Sequence, residues 1–314
     1  MKIALLGATS QIARGLIKEI SSDKSIELFL FGRRPEQITN WLNNVALLDA
    51  KFVGSFDTFN TKKFDAIINF IGIGSPLKIL KEGAAIFDIT HEYDQLCINY
   101  LKQNPKCRYI FLSSGSVYFS SFDAPVDEKT KAIIEINNLK HNNWYALSKL
   151  HAECRHRALS SLSIVDIRLF NYFSRSQDIN ARFFISDMIR SIQNNKIFET
   201  SSDLMVRDYI APKDFCSLVD AILKSSATND VIDSYSKAPI EKSILLDHMS
   251  HELGLKYEFV DNPSVVDATG QKPHYYSLNR RASQFGYEPS LTSIESILSE
   301  TKYLLDSLGN LKKP

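Results

Sequence analysis

Short apolar runs alternate with helix-like segments along the first half of the chain. The first run, Lys2 to Leu6, leads into a turn of small residues and then into Gln11 to Ile20, whose apolar residues share one helical side. Further strand-like runs are Ile26 to Phe31, Phe64 to Ile71, Arg108 to Leu112 and Ser163 to Phe170. Strands that alternate with helices pair in parallel through right-handed crossovers. The pattern predicts an α/β fold with a doubly wound parallel (Rossmann) sheet and ligands at the carboxyl ends of its strands.

The second half of the chain shows this alternation less clearly. Two segments have helical periodicity, and a third, rich in prolines and other breakers, has the character of a loop: Phe183 to Ile192, Phe215 to Leu223 and Asp261 to His274. We expect a dinucleotide-binding domain over residues 1–170. A smaller, mainly substrate-binding domain is expected over 171–314, and a return of about residues 206–240 to the Rossmann core stays open.

Composition narrows the kind of partner. The chain has 314 residues, 44% of them hydrophobic, which is enough for a sizeable core. Its 37 basic and 36 acidic side chains nearly cancel, so we expect neither nucleic acid nor a membrane as a partner, but a small molecule. The four cysteines form no CxxC pair, which argues against disulfides and a zinc site. The first apolar run is too short for a signal peptide or membrane span, so we expect a cytoplasmic protein.

The first turn between strand and helix has the position of a dinucleotide-binding loop. It reads Gly7-Ala-Thr-Ser-Gln-Ile-Ala13, and small residues at its first, fourth and seventh positions would let backbone N–H groups approach a pyrophosphate. We assign this contact to Gly7, Thr9, Ser10, Gln11 and Ile12. Only one of the three small residues is glycine, so an ordinary turn remains the alternative.

The end of the second strand bears on cofactor choice. An acidic residue there binds the ribose of NAD, whereas this chain has Phe31-Gly32-Arg33-Arg34. Two guanidinium groups can pair bidentately with a ribose 2′-phosphate. The sequence therefore favours NADP(H), with NAD(H) as the alternative for the cofactor and a solvated basic turn as the alternative for Arg33 and Arg34.

A tyrosine and a lysine share one face of a segment with helical character, Trp144 to Arg157. Tyr145 and Lys149 are four residues apart, so we expect the lysine charge to lower the tyrosine pKa from its ordinary value of about 10 and make the phenol a usable acid and base. A second such pair, Tyr209 and Lys213, is interrupted by a proline. The first pair is therefore the candidate.

A serine hydroxyl accompanies this candidate pair. Ser114 follows directly on the strand that ends at Leu112, which places it at the carboxyl end of a strand, where a group that polarises a substrate belongs.

The order of these motifs resembles a known family. The pieces are Gly7-x-x-Ser10-x-x-Ala13, Asn69-Phe-Ile-Gly72, Ser113-Ser114-x-x-Val117-Tyr118, Tyr145-x-x-x-Lys149, Arg168-Leu-Phe-Asn171 and Val206-Arg207-Asp208-Tyr209-Ile210. Together they are similar to the extended short-chain dehydrogenases/reductases, and more narrowly to the NAD(P)-dependent epimerase/dehydratase branch that acts on nucleotide-sugars. The resemblance runs from residue 1 to about 225.

The resemblance implies roles for individual residues. Ser114 would polarise the substrate oxygen, Tyr145 would be the acid and base, and Lys149 would hold the nicotinamide ribose and tune Tyr145. Further cofactor contacts would come from Asn69, Ile71 and Gly72.

The resemblance also implies two contacts with the nucleotide-sugar. Asn171 and Arg207 match substrate positions, with Arg207 at the pyrophosphate. The alternatives are a strand-end cap for Asn171 and a surface ion pair with Asp208 for Arg207. At the segment that should recognise the substrate, Gln271 and Lys272 stand where an arginine is frequent. A homodimer stays open.

Three reactions share this apparatus. A dehydratase of the branch carries an Asp-Glu pair where this chain has Gly115-Ser116, so elimination is disfavoured. The basic turn favours NADPH-dependent reduction of a nucleotide-activated 4-keto (deoxy)sugar. The alternative is a nucleotide-sugar epimerase with retained NAD, and the second alternative is an inactive nucleotide-binding scaffold or sensor.

Overall fold

A parallel sheet of seven strands forms the centre of the molecule in the computed structural model, which describes residues 1–47, 50–72, 82–261 and 272–310. Numbered along the chain, its strands are β1 (Lys2–Leu6), β2 (Glu27–Phe31), β3 (Ala50–Gly54), β4 (Ala66–Asn69), β5 (Arg108–Ser114), β6 (Ile164–Leu169) and β11 (Asn229–Asp233). Their order across the sheet is β11-β6-β5-β4-β1-β2-β3. Every neighbouring pair is parallel, as the alternation of strands and helices predicted.

The helices and the short outer strands complete the fold. The helices are α1 (Gln11–Ile20), α2 (Pro35–Asn44), α3 (Ala85–Gln103), α4 (Trp144–Ala158), α5 (Phe184–Gln193), α6 (Pro212–Lys224), α7 (Lys242–Leu253) and α8 (Ser293–Asn310). The short strands are β7 (Asn171–Tyr172), β8 (Ile197–Thr200), β9 (Val206–Arg207), β10 (Tyr209–Ile210), β12 (Ile240–Glu241), β13 (Lys256–Phe259) and β14 (His274–Tyr275). Within the described ranges, no helix is long and apolar enough to cross a membrane.

Both faces of the sheet are covered because side chains alternate along each strand. Leu5 of β1 belongs to a buried cluster with α1 and α6, whereas Leu6 belongs to a second cluster with α3 and α4 on the other face. The fold is therefore doubly wound, as predicted.

Helix α1 begins where its sequence requires. The Ser10 hydroxyl oxygen accepts a hydrogen bond from Ala13 N at 3.2 Å and so caps the helix. Leu16, Ile17 and Ile20 are buried against the sheet. This local structure fixes the helix N-terminus at the carboxyl end of β1, where a phosphate-binding site belongs.

A third buried cluster lies in the second half of the chain. It joins Met188 of α5, Phe198 of β8, Leu246 of α7 and Ile297 of α8. Two elements of the second half of the chain belong instead to the central sheet and its cover. Strand β11 pairs with β6, and the buried face of α6 packs on α1.

The structure contains several elements that the sequence analysis did not predict, among them strands β3 and β11 and helices α3, α7 and α8. Strand β5 extends beyond Leu112 to Ser114. The segment Asp261 to His274 was expected to be a loop, but His274 belongs to β14, which pairs with β9. Two residues are too few to show strand periodicity, which is why β14 escaped prediction. Residues 262–271 of that segment, Gln271 included, lie outside the described residues.

Candidate functional site

The site lies at the carboxyl ends of β4 and β5, which are neighbours in the sheet. Ser114 is the last residue of β5 and is buried. A short 3-10 turn begins directly after it, and the Ser114 hydroxyl oxygen accepts a hydrogen bond from Ser116 N at 3.2 Å. The strand end and the turn together fix the hydroxyl on the side of the sheet where ligands bind.

Helix α4 brings Tyr145 and Lys149 to this strand end. Lys149 is only 3% exposed, and its Nζ donates a hydrogen bond to the Leu112 carbonyl oxygen at 2.7 Å. The same ammonium lies 4.3 Å from the centre of the Phe111 ring, a favourable position for a cation. Tyr145 is half-buried one helical turn earlier. The structure thus brings the three predicted catalytic residues together, whereas Tyr209 of the second tyrosine–lysine pair lies in β10, outside the helix that begins at Pro212.

The expected lowering of the Tyr145 pKa by Lys149 is wrong. Burial raises the pKa of Tyr145 to about 12, the Ser114 hydroxyl lowers it, and the nearby Tyr275 raises it. The Lys149 ammonium is directed to the Leu112 carbonyl instead. Tyr145 is therefore a protonated phenol at neutral pH.

Lys149 has a pKa within reach of physiological pH. Burial lowers the pKa of its ammonium to about 8, and the carboxylates of Asp94, Asp166 and Glu153 oppose that decrease. The group is therefore mostly charged at neutral pH and loses its proton at mildly alkaline pH.

Tyr275 is a site residue that the sequence did not reveal. Its hydroxyl lies 3.4 Å from the Ser114 hydroxyl and 3.1 Å from that of Ser116. The ring is buried against Phe122 and Phe170. No motif marks Tyr275, because only the pairing of β14 with β9, distant in sequence, brings it to the serine.

The turn after β1 fits a dinucleotide. Gly7 has a φ of +76°, and a Cβ there would lie 3.2 Å from Ile71 N, so a side chain would crowd the segment that follows β4. Hydrogen bonds within the fold use the N–H groups of Gly7, Ala8 and Ser10. Gln11 and Ile12 begin α1, and the first N–H groups of a helix have no partner within the helix. The N–H groups of Gln11 and Ile12 thus suit the predicted phosphate contact, whereas those of Gly7 and Ser10 already have partners within the fold. Thr9 is exposed beside them, and its contact stays a prediction.

The segment after β4 faces the same site. Asn69 is buried, and its side-chain oxygen accepts a hydrogen bond from Ile71 N at 2.9 Å. A Cβ at Gly72 would lie 3.1 Å from Lys149 Nζ, so the backbone passes close to the ammonium. Of the predicted cofactor residues, Gly72 therefore lies beside Lys149, and Asn69 holds the backbone of Ile71 that leads to it.

Arg33 and Arg34 lie between β2 and α2, and both are exposed. They stand at the strand end where the ribose carrying a 2′-phosphate would be recognised. Exposed arginines there also fit the solvated basic turn, so their contact with the cofactor stays a prediction.

Asn171 and Arg207 both contact the segment that contains β14. The Asn171 side-chain amide donates to the carbonyl oxygens of Asp208 at 3.2 Å and Tyr275 at 3.3 Å. Arg207 Nη1 donates to the carbonyl oxygen of Lys272 at 2.6 Å. Asn171 thus caps backbone carbonyl groups, which is the alternative role that the sequence analysis gave it. The alternative of a surface ion pair for Arg207 is wrong, because this side chain is buried. Substrate contacts by either residue stay predictions.

Comparison with solved structures gives the same fold over nearly the whole chain. UDP-glucose 4-epimerase of Thermotoga maritima, solved with UDP-glucose, has 15% identity and a TM-score of 0.80, covering 98% of this chain and 100% of that one. UDP-glucuronic acid 4-epimerase of Bacillus cereus, solved with UDP-glucuronic acid and NAD, has 16% identity and a TM-score of 0.77, covering 98% and 100%. dTDP-glucose 4,6-dehydratase of Bacillus anthracis, solved with NAD, has 17% identity and a TM-score of 0.73, covering 98% and 97%.

Sequence comparison identifies the family. A search among curated proteins finds no match to this chain. The model of the NAD dependent epimerase/dehydratase family, however, matches residues 3–235, which is most of the chain. Family and fold agree with the motif order found in the sequence. The chain therefore belongs to the NAD-dependent epimerase/dehydratase family, which consists of enzymes of the extended short-chain dehydrogenase/reductase type.

Proposed function

We propose that this protein is an NAD-dependent 4-epimerase of a nucleotide-sugar. The observation that carries the proposal is the meeting of Ser114, Tyr145 and Lys149 at the carboxyl end of β5, beside Gly72. Two solved relatives are 4-epimerases with UDP-sugars, and one of these holds NAD as well. These relatives support the epimerase over the NADPH-dependent reductase that the sequence alone favoured.

The protein's part in this reaction is to hold the sugar and move its proton. Tyr145 exchanges a proton with the oxygen at C4 of the sugar, and Ser114 orients that oxygen through a hydrogen bond. When the Lys149 ammonium turns from the Leu112 carbonyl toward Tyr145, its positive charge favours the phenolate form of Tyr145. A bound nicotinamide supplies the exchange of hydride with C4.

We assign binding of the two ligands to different parts of the chain. Residues 1–170 hold the cofactor, with the pyrophosphate at the N-terminus of α1. Residues 171–314 mainly hold the nucleotide-sugar, and about 206–240 belong with the Rossmann core. We assign the substrate pyrophosphate to Arg207, because guanidinium groups pair with phosphate oxygens in a planar, bidentate way.

Product analysis tests the proposed reaction. We expect the purified protein with NAD to convert at least one of UDP-glucose, UDP-glucuronic acid and UDP-N-acetylglucosamine into its C4 epimer, without net reduction of cofactor. NMR of the sugar and absorbance at the nicotinamide band report both quantities. Absence of any epimer, together with steady NADPH oxidation by a nucleotide-4-keto sugar, would contradict the proposal.

The second candidate function is NADPH-dependent reduction of a nucleotide-activated 4-keto sugar. The basic pair Arg33 and Arg34, at a strand end without a carboxylate, favours it. If these arginines bind a 2′-phosphate, replacing both by alanine should weaken NADPH binding tenfold or more, since charged hydrogen bonds contribute about 1.5 to 3 kcal/mol each. NADH binding should change little. Equal affinities of the wild type for NADH and NADPH would remove this candidate's support.

A further inference from the structure

A hydrogen-bonded network of buried polar side chains lies next to the candidate site. The mechanism above does not use it. At its centre, His156 of α4 lies between two aspartates, with Nδ1 2.6 Å from Asp166 Oδ1 and Nε2 2.7 Å from Asp94 Oδ1. All three side chains have 0% exposure. Burial by itself lowers the pKa of His156, but the two carboxylates raise it to about 9, so the ring is an imidazolium that donates in both directions.

The hydrogen-bonded network continues from Asp94 to Asn69, the first residue of the segment with predicted cofactor contacts. The Tyr109 hydroxyl donates to Asp94 Oδ1 at 3.0 Å, and the Asn69 side-chain nitrogen donates to the Tyr109 hydroxyl at 3.0 Å. Because a carboxylate only accepts, Tyr109 must donate to Asp94 and can then only accept from Asn69. This fixes the Asn69 amide with its oxygen toward Ile71 N. The Asp94 carboxylate thus sets the orientation of the Asn69 amide through the Tyr109 hydroxyl.

Two arginines of α4 form the outer ends of this network, nearest the surface. Arg155 pairs with Asp94 Oδ2 at 2.8 Å, and Arg157 pairs with Asp166 Oδ2 at 2.9 Å. Buried charges of this kind add little stability compared with apolar residues of similar size, because desolvation offsets their attraction. They do fix donor and acceptor directions, which apolar residues would leave unset.

Asp94 is therefore connected to the candidate site by hydrogen bonds, which run through the Tyr109 hydroxyl to the Asn69 side chain.

We propose that Asp94, held by His156 and Arg155, is a positioning residue, which acts through Tyr109 to orient Asn69 and the segment to Gly72 for the cofactor. The inference rests on the proposed function, in which residues 1–170, this segment among them, hold the cofactor. It adds an effect on cofactor affinity that a purely structural cluster would not produce.

Tyr109→Phe tests the hydrogen-bond path. The variant keeps the ring and every charge but disconnects Asn69 from Asp94, so the dissociation constant for NADH or NADPH, whichever the wild type binds better, should rise about tenfold. The matched control is Tyr100→Phe, which removes another buried hydroxyl, one bonded to Phe64 N at 2.8 Å. It should lower stability without changing affinity. Equal dissociation constants for the two variants would overturn the positioning role.

These measurements report binding and do not depend on turnover. A wild-type protein that binds cofactor but forms no epimer would refute the proposed reaction alone. Unchanged cofactor affinity in the Tyr109→Phe variant of an active epimerase would refute the positioning proposal alone.

Discussion

Tyr145 and Ser114 meet at the carboxyl end of β5. Ser114 is held by the turn that begins after β5, and Tyr145 reaches it from α4. The phenol is protonated at neutral pH because burial raises its pKa to about 12. The residue types and their order predicted this meeting from sequence, but the pKa could not be predicted, because burial and the approach of Tyr275 depend on the folded structure.

Replacing Tyr145 by phenylalanine should reduce turnover by about 100- to 10,000-fold, the range typical of a lost general acid and base. The ring packing is retained, so the free energy of unfolding and the cofactor affinity should change little. Steady-state kinetics with the sugar that is epimerised, together with a cofactor titration, provide the measurement. More than a tenth of wild-type activity in the variant would remove Tyr145 from the mechanism.

Gly7 makes a different kind of contribution, through its backbone. It has a φ of +76° and lies so close to the Ile71 backbone that a Cβ would be 3.2 Å from Ile71 N. Gly254 is a matched control, with a φ of +72° and nothing within 4 Å of a Cβ. Alanine at either position should cost about 1 to 2 kcal/mol of stability from backbone strain.

Only Gly7→Ala should also weaken cofactor binding, because only there does the methyl group push the proposed pyrophosphate-binding turn away from Ile71. Urea unfolding and cofactor titration of both variants separate strain from crowding. If Gly7→Ala bound cofactor as well as Gly254→Ala does, the phosphate site would have to lie elsewhere.

Helix α4 is the element on which the site depends most. One side carries Tyr145 and Lys149 to β5, and later residues carry His156 and two arginines to Asp94 on α3 and Asp166 on β6. Sequence periodicity predicted the helix from Trp144 to Arg157, and the structure extends it by one residue. The buried charges could not be foreseen, because their partners are distant in sequence and belong to other elements.

The imidazolium of His156 should make stability depend on pH. Its pKa is about 9 in the folded protein and about 6.5 in the unfolded chain, so the folded state binds more protons between these values. The stabilisation is complete below about pH 6.5 and is lost as pH rises toward 9. Between pH 6 and 8 the loss should reach about 2 kcal/mol, at 1.36 kcal/mol per unit.

Urea unfolding at pH 6 and pH 8 provides the test, with His156→Gln as the comparison. The variant should be less stable at pH 6 and nearly insensitive to this pH change. Lys149 acts in the opposite direction above about pH 8, where the folded protein loses its proton first, so the comparison stops there. Equal pH dependence in the two proteins would show that His156 is not charged.

At the scale of the whole molecule, the candidate site lies where two parts of the chain converge. The parallel sheet places β4 and β5 ends beside the first turn, and β14 brings Tyr275 from more than a hundred residues away to Ser114. Most of the sheet was predictable, because five of its seven strands are short apolar runs, whereas β3 and β11 were not predicted. The approach of β14 was not, because its two residues pair with β9 through contacts that no local pattern records.

The account depends most on the claim that one bound cofactor both takes and returns the hydrogen at C4 of the sugar. The direct measurement is mass spectrometry and NMR of the product formed from a UDP-sugar deuterated at C4, with NAD present. The account predicts a C4 epimer that keeps its deuterium at C4, with no accumulation of reduced cofactor. Loss of the deuterium to a free cofactor, with one cofactor converted per sugar, would contradict it and establish a net oxidoreductase.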